Sequence, residues 1–343
     1  MASTKISQTK SMKINQLRRN FLSAGIAAPL NVGLFGSAKV NAQTAWPRKP
    51  VKLVIGFAPG SVNDAIARLL CQSLTQILGE SFVVDNKTGA GGVVGTENVV
   101  RAPADGYTFM LGTSSQLVIN VALYKKLNFS ITESLVPVAL VSKTRLLLAI
   151  HPLVPARNLQ EFVAYAKAYP GKLNYATSGL GGIAHVATER FIRAAGLSIQ
   201  AVHYRGAGPA LQALMAGECQ MLLDTPITSI PLARAGKMMI IAVSTPRMQA
   251  MPEVATFEEQ GLQNVDAYTW NSVMAPKETP DFIIALLNNA INKALAIPGV
   301  VDQLAKADSQ SLRGSTPTST GEFWRKELEL WLPTIDKMNI SLD

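Results

Sequence analysis

The chain has 343 residues, 48% of them hydrophobic and 16% charged, which excludes a disordered polymer and leaves enough apolar material for two domains of ordinary size. Its formal net charge of +9 reflects 32 basic and 23 acidic residues. Six of the basic residues lie in the first 42 positions, where no acid occurs, so 26 face 23 in the remainder, a net of +3. No basic stripe marks the folded part, so a nucleic-acid partner is not expected, and no apolar run after residue 45 reaches the roughly 18–20 uncharged residues of a membrane helix.

The first element, residues 1–42, reads as an export signal that is removed. Lys5, Lys10, Lys13, Arg18, Arg19 and Lys39 precede or flank a mildly apolar stretch from Phe21 to Ala38, and Val40–Ala42 offers small residues to a signal peptidase, with cleavage before Gln43. LRRNFL at Leu17–Leu22 resembles a twin-arginine signal, although Ser or Thr before the pair and Lys after it are missing. A Sec leader is the alternative, and Met12 offers a second start.

VKLVIGF from Val51 reads as a strand buried on both faces. Ile66, Leu69, Leu70, Leu74, Ile77 and Leu78 then recur at helical spacing, with Asn63 or Asp64 as the expected cap and Gly79 as the stop. SFVVDN is a strand, GAGGVVGTENVVRA a glycine loop and helix, and DGYTFMLGTSS a strand ending in a polar tip. VPVALVSKTRLLLAIHP holds two strands with no helix between them, the pattern of a chain crossing between lobes. NLQEFVAYAKAYP is an amphipathic helix. KLNYATSGLGGIAHVATERFIRAAG and IQAVHYRGAGPALQALMAG each repeat strand, small-residue loop and helix, the second with Pro209 near the helix start. ECQMLLDTP and MMIIAVST are strands, AYTWNSVMAP is the return crossing, and the C-terminal part is helical. Alternation of this kind builds parallel sheets whose ligands gather at the carboxyl ends of strands. There, helix N-termini offer unpaired N–H groups and partial positive charge.

Enzymatic signatures are missing. GAGGVVG at Gly89–Gly95 breaks the dinucleotide spacing at Val94, and neither a Walker loop nor a GxSxG elbow occurs. Cys71 and Cys219 have no metal spacing and read as buried free thiols, with a disulfide as the other reading in an exported protein. His151 and His203 read as structural. His185, in the first turn after SGLGG, is open to a pocket contact. Asp64 reads as a cap, Asp224 as either a loop anchor or a ligand contact, and Arg205 as either a rim cation or a bidentate carboxylate partner.

The chain resembles the tripartite tricarboxylate transporter substrate-binding proteins, also called Bug receptors. The resemblance is carried by WPRKPVKLVIGFAPGSVND at Trp46–Asp64, NKTGAGGVVGTENVVRAPADGYTFMLGTSS at Asn86–Ser115 and NYATSGLGGIAHVATERF at Asn174–Phe191. VHYRGAGPALQALMAGECQMLLD at Val202–Asp224 and AGKMMIIAVSTPRMQAMPEVATFEEQGL at Ala235–Leu262 extend it. It implies an α/β, type II-like periplasmic binding protein of two lobes, each a mainly parallel sheet flanked by helices, joined by crossing strands. Lobe 1 is expected at 43–140 and 251–343, lobe 2 at 141–250.

Further implications are a monomeric periplasmic receptor, no catalysis, no cofactor or metal, and delivery of a small carboxylate to a two-subunit integral membrane permease. A sensor signalling to a membrane kinase is the alternative, and an exported enzyme the more distant one. The implied ligand loops are Phe57, Ala58, Pro59, Gly60, Ser61, Val62 and Asn63 after the first strand, and Thr177, Ser178, Gly179, Gly181 and Gly182 before the second-lobe helix. Thr113, Ser114 and Ser115 join them, as do Arg205, Gly206 and Ala207, with His185 and Asp224 as further candidates. Where relatives read close to FAAGGGTD this chain has FAPGSVND, and the bulk of Val62 suggests a larger ligand with an apolar body, such as an aromatic, terephthalate-like or medium-chain dicarboxylate.

Overall fold

A computed structural model describes residues 46–265, 267–338 and 340–342. The export signal, its arginine pair and its cleavage site lie outside these residues. The chain opens with β1 (Val51–Ile55), α1 (Val62–Leu78), β2 (Phe82–Asn86), α2 (Val93–Val100) and β3 (Thr108–Thr113). β3 does not end in a loop, as its polar tip suggested. It runs into a wide helical turn at Ser115–Ile119, then α3 (Asn120–Leu123) and α4 (Ile131–Ser134). β4 (Leu135–Arg145) and β5 (Leu147–Ile150) are the two strands of the first crossing. Next come α5 (Leu159–Ala168), β6 (Leu173–Thr177), α6 (Ile183–Ala195), β7 (Ile199–His203), α7 (Ala207–Met215), β8 (Met221–Asp224), α8 (Pro226–Arg234) and β9 (Met239–Val243). The return crossing β10 (Tyr268–Pro276) leads to α9 (Asp281–Ala294), α10 (Pro298–Lys306), β11 (Ser309–Ser311) and α11 (Pro317–Asp336).

Two sheets form, a six-stranded one in the order β11-β4-β10-β3-β1-β2 and a five-stranded one in the order β7-β6-β8-β5-β9. Pairs inside the βα units, β1 with β2 and β3 and β6 with β7 and β8, are parallel. Pairs made by the crossing strands β4, β5 and β10 are antiparallel, because those strands enter from the other lobe. Each sheet is therefore mixed, with its parallel half carrying the glycine loops. At the crossing, Leu146 donates to Ala267 O at 2.9 Å and accepts from Ser244 N at 3.1 Å. The buried Ser244 hydroxyl bonds both N and O of Ala267, at 2.9 and 2.6 Å. Three chain segments are thus tied side by side where the lobes meet.

Alternation along β1 explains the layering. Val51, Leu53 and Ile55 turn to one face and pack with Ile66, Leu70 and Leu74 of α1 and with Leu287 and Ile291 of α9. Val54 turns to the other face, joining Met110, Leu117 and Trp324 in a core that continues through Leu148 and Ile150 to Phe162, Tyr175 and Phe191 of the five-stranded sheet. Apolar packing is therefore continuous from sheet to sheet. Truncating a fully buried member such as Leu74 to Ala should cost roughly 2–5 kcal/mol. Cys71 and Cys219 are both buried free thiols, and no disulfide joins them.

Candidate functional site

The loop after β1 is built from its own side chains. Ser61, not Asn63 or Asp64, caps α1: its backbone is extended at φ −70, ψ 161, and its Oγ accepts from Asp64 N at 3.2 Å. Asp64 falls one turn inside the helix, so its carboxylate reaches back and accepts from Gly60 N at 3.0 Å. It also accepts from Arg68 Nε at 2.8 Å and Asn86 Nδ2 at 3.0 Å, and Asn86 holds Phe57 O as well. The Arg68 hydrogen bond, helped by Gly60 and Asn86, outweighs burial and holds the Asp64 carboxyl down at about 2. Gly60 takes φ +82, a left-handed backbone that suits glycine, which lets its N–H turn inward. The N–H groups of Val62 and Asn63, first and second in α1, have no protein partner among the described residues.

Ala58, Pro59 and Gly60 are exposed, while Phe57, Ser61, Val62 and Asn63 are half-buried. Val62 packs against the core beneath α1, so part of the bulk expected in the cleft is spent on the scaffold. Asn63 Oδ1 accepts from Asn271 Nδ2 at 2.9 Å, and Asn271 Oδ1 in turn accepts from Ser142 Oγ at 3.1 Å. These two partners on β10 and β4 were not foreseen.

At the end of β3, Thr113 and Ser114 are buried rather than presented outward. Thr113 N and Oγ1 bond Gln116 Oε1 at 3.3 and 3.4 Å, and Ser114 Oγ lies 3.1 Å from Thr269 Oγ1 on β10. The cause is the helical turn that follows: it folds the polar tip back over the sheet end. Ser115 stays half-exposed, and its Oγ accepts from Ile183 N, the first N–H of α6, at 3.2 Å.

In the five-stranded sheet, Thr177 is buried and its Oγ1 donates to Gly179 O at 3.2 Å. Thr177 O and Ser178 O accept from Tyr204 N and Gly206 N at 2.9 and 3.1 Å, which locks this loop to the next. Ser178 is exposed, with Gly179 and Gly182 partly so. Gly181 is buried at φ +76, and a Cβ there would lie 2.3 Å from Leu123 Cδ1. His185 is also buried, beneath the loop: its Nδ1 accepts from Gly181 N at 3.1 Å, and His203 stands edge-on to it at 4.8 Å. Burial first, and then His203, push its pKa down to about 4. A neutral, buried imidazole serves as a prop for the loop, so the pocket-contact reading of His185 gives way to a supporting one.

Arg205 is exposed and makes no ion pair among the described residues. Gly206 precedes α7 at φ +111, and Ala207 opens the helix without a side-chain cap. Asp224 is buried, its Oδ2 accepting from the Thr228 hydroxyl and, at 2.8 Å, from Ser229 Oγ. Burial raises its pKa against those bonds. It anchors the start of α8, and none of its bonds reaches the other loops.

Three hydrogen-bonded sets therefore lie along this edge, Asn63–Asn271–Ser142, Ser114–Thr269 and Ser115–Ile183, and Thr177 and Ser178 are bonded to Tyr204 and Gly206 in a fourth. The start of α7 has no side-chain cap, α6 keeps the N–H groups of Ala184 and His185 behind the one held by Ser115, and α1 keeps those of Val62 and Asn63, so each helix start offers partial positive charge. Among the described residues, no group of three metal-ligating side chains could hold a metal ion. Donors without a reactive partner suit retention of an anion.

The sequence profile described as tripartite tricarboxylate transporter family receptor matches residues 66–340. BugT of Bordetella pertussis is 34% identical over 322 residues, 93% of this chain and 95% of that protein. A Rhodopseudomonas palustris protein solved with adipate is 29% identical with a TM-score of 0.77, covering 86% of this chain and 99% of the other. MatC from Rhodopseudomonas palustris, solved with bound malate, is 29% identical with a TM-score of 0.74, covering 84% of this chain and all of the other.

Proposed function

The chain belongs to the tripartite tricarboxylate transporter receptor family, and from that membership and the geometry of the loops we propose that it is a periplasmic receptor capturing a small dicarboxylate between its lobes. The observation that carries this reading is the set of N–H groups without a protein partner among the described residues at the starts of α1, α7 and α6 (there behind Ile183, whose N–H Ser115 holds), beside an exposed Arg205 that makes no ion pair among the described residues. One carboxylate replaces water at the helix starts, and Arg205 faces the second. Each hydrogen bond to a charged group contributes roughly 1.5–3 kcal/mol, and about four of them, less ordering and closure, match a micromolar Kd. The ligands of the two R. palustris relatives, adipate and malate, support a dicarboxylate and set the size range. Because Val62 gives part of its surface to the core, a flexible adipate-like chain is favoured here over a rigid aromatic one.

Closure is driven only by contacts made in the closed state. The bounds expected at 140/141 and 250/251 are moved to the crossing, because β4 runs whole to Arg145 in the six-stranded sheet and residues 251–262 pack on the five-stranded one: we place lobe 1 at 46–145 and 268–342 and lobe 2 at 146–265, with Ser115 and Ile183 meeting between them. Export of the chain by its leader, monomeric action and delivery to a two-subunit membrane permease complete the proposal. It is tested by a thermal-shift screen of adipate, malate, terephthalate and monocarboxylates on a chain starting at residue 43. A rise in Tm with dicarboxylates is expected. Silence across the panel would sink the carboxylate reading, and turnover of any of these compounds would sink the non-catalytic one.

A further inference from the structure

We propose that Asn63 reads a ligand oxygen as a hydrogen-bond donor, and that Ser142 and Asn271 are the positioning residues that hold it in that role. The proposal rests on the reading of this cleft as a carboxylate site. Sequence alone left the sign of the Asn63 contact open, since a primary amide can offer either its oxygen or its nitrogen.

Three observations decide the sign. Ser142 is wholly buried, and among the described residues the single acceptor for its hydroxyl proton is Asn271 Oδ1, at 3.1 Å. That bond leaves Asn271 Nδ2 as the donor to Asn63 Oδ1, at 2.9 Å. With its oxygen occupied, Asn63 presents Nδ2, which has no partner among the described residues and is reached by solvent. Turning the Asn271 amide over would strand the Ser142 proton in a dry site, the kind of loss a folded core avoids. Donor character therefore passes in one direction, from Ser142 on β4 through Asn271 on β10 to Asn63 on α1. The neighbouring N–H groups of Val62 and Asn63 have the same sign, so this corner accepts a carboxylate or keto oxygen and rejects an ammonium or amide nitrogen.

Two isosteric substitutions test the direction without any ligand. Asn63→Asp keeps an acceptor toward Asn271, and an acid in the first turn suits the helix start. Its unliganded Tm is expected to stay within about 2 °C of the parent. Asn271→Asp sets acceptor against acceptor in a buried position and is expected to lower Tm by several degrees. The opposite order would overturn the proposal. With adipate or malate as probe, whichever raises the parent's Tm, Asn63→Asp is expected to weaken binding about 100-fold through like-charge repulsion. Unchanged affinity would also overturn it. Ser142→Ala alone is expected to weaken binding about fivefold, and to add nothing in the Asn63→Asp background. Additive losses would make Ser142 merely structural. If no carboxylate binds the parent, the carboxylate reading fails, while the Tm order of the two Asp variants still decides the donor direction.

Discussion

Ser115 Oγ accepts the backbone N–H of Ile183 at 3.2 Å, so a hydroxyl at the end of β3 occupies the first free donor of α6 in the other sheet. The bond ties the end of β3 to the start of α6 directly, and under the proposed reading it is a contact of the closed state. Ser115→Ala is expected to weaken dicarboxylate binding about 3- to 10-fold, mostly through faster release, since one such bond is worth roughly 0.5–1.5 kcal/mol. Stopped-flow fluorescence on the parent and variant measures the two rate constants. An unchanged release rate would remove this bond from the closure mechanism.

Gly181 packs against Leu123 at the same junction, where a Cβ on residue 181 would lie 2.3 Å from Leu123 Cδ1. Gly181→Ala puts a methyl group into Leu123 and places alanine at φ +76, so the closed form is penalised. Binding is expected to fall at least tenfold. Adding Leu123→Ala should restore part of it by relieving the clash, leaving the backbone strain. Isothermal titration of the single and double variants checks the coupling.

The Asp64 network predicts acid sensitivity. Its folded pKa, about 2, lies below the ordinary carboxyl value of 3.8, with the Arg68 hydrogen bond as the largest cause. A depressed carboxyl contributes stability that is complete above about pH 4 and lost as pH falls toward about 2. Asp64→Ala is therefore expected to be less stable than the parent at pH 7, with the gap closing near pH 2. Urea midpoints at both pH values test this, and a gap that persists in acid would contradict it.

His185 predicts a second window at higher pH. Its folded value, about 4, lies below the usual 6.5 because burial, and then His203, disfavour the charged ring. The neutral ring is needed to accept from Gly181 N. Stability tied to it is thus complete above about pH 6.5 and declines as pH falls toward about 4. His185→Asn, whose Oδ1 can still accept, is expected to flatten that decline. Melting curves between pH 8 and pH 4.5 give the comparison.

At the crossing, the buried Glu327 accepts from the Tyr268 hydroxyl, from Trp270 Nε1 at 2.8 Å and from Trp331 Nε1 at 3.3 Å. This carboxylate ties α11 to the return strand. Glu327→Leu leaves buried ring donors without their acceptor and is expected to cost roughly 2–4 kcal/mol. Denaturant unfolding measures it, and a loss below about 1 kcal/mol would show that the donors find other partners.

Much of the fold was legible because each element carries its own local signal. The nearly continuous apolar run of VKLVIGF, the stripe of Ile66, Leu70 and Leu74, and the left-handed stop at Gly79 depend on neighbours in the chain. The adjoining runs at Leu135–Arg145 and Leu147–Ile150 showed the crossing, since no helix fits between them. The helical turn at Ser115–Ile119 was missed because its residues show strand-like apolar content, and α8 because it begins and continues through prolines. The cap of α1 shifted to Ser61 because Asp64 satisfies Gly60 instead of the helix start.

By itself, then, the sequence determined the two-lobed α/β architecture, the crossings, the family resemblance and the small-residue loops at the strand ends, all properties of short segments read in order. Only the tertiary structure decided which way the side chains in those loops point. Thr113, Ser114, Thr177, His185 and Asp224 are buried and hydrogen-bonded within the fold, while Asn271 and Ser142 reach toward Asn63 from strands far along the chain. The reason is physical: a polar group that loses water must find a partner, and that partner is whatever residue the packing of distant strands brings within 3 Å or so.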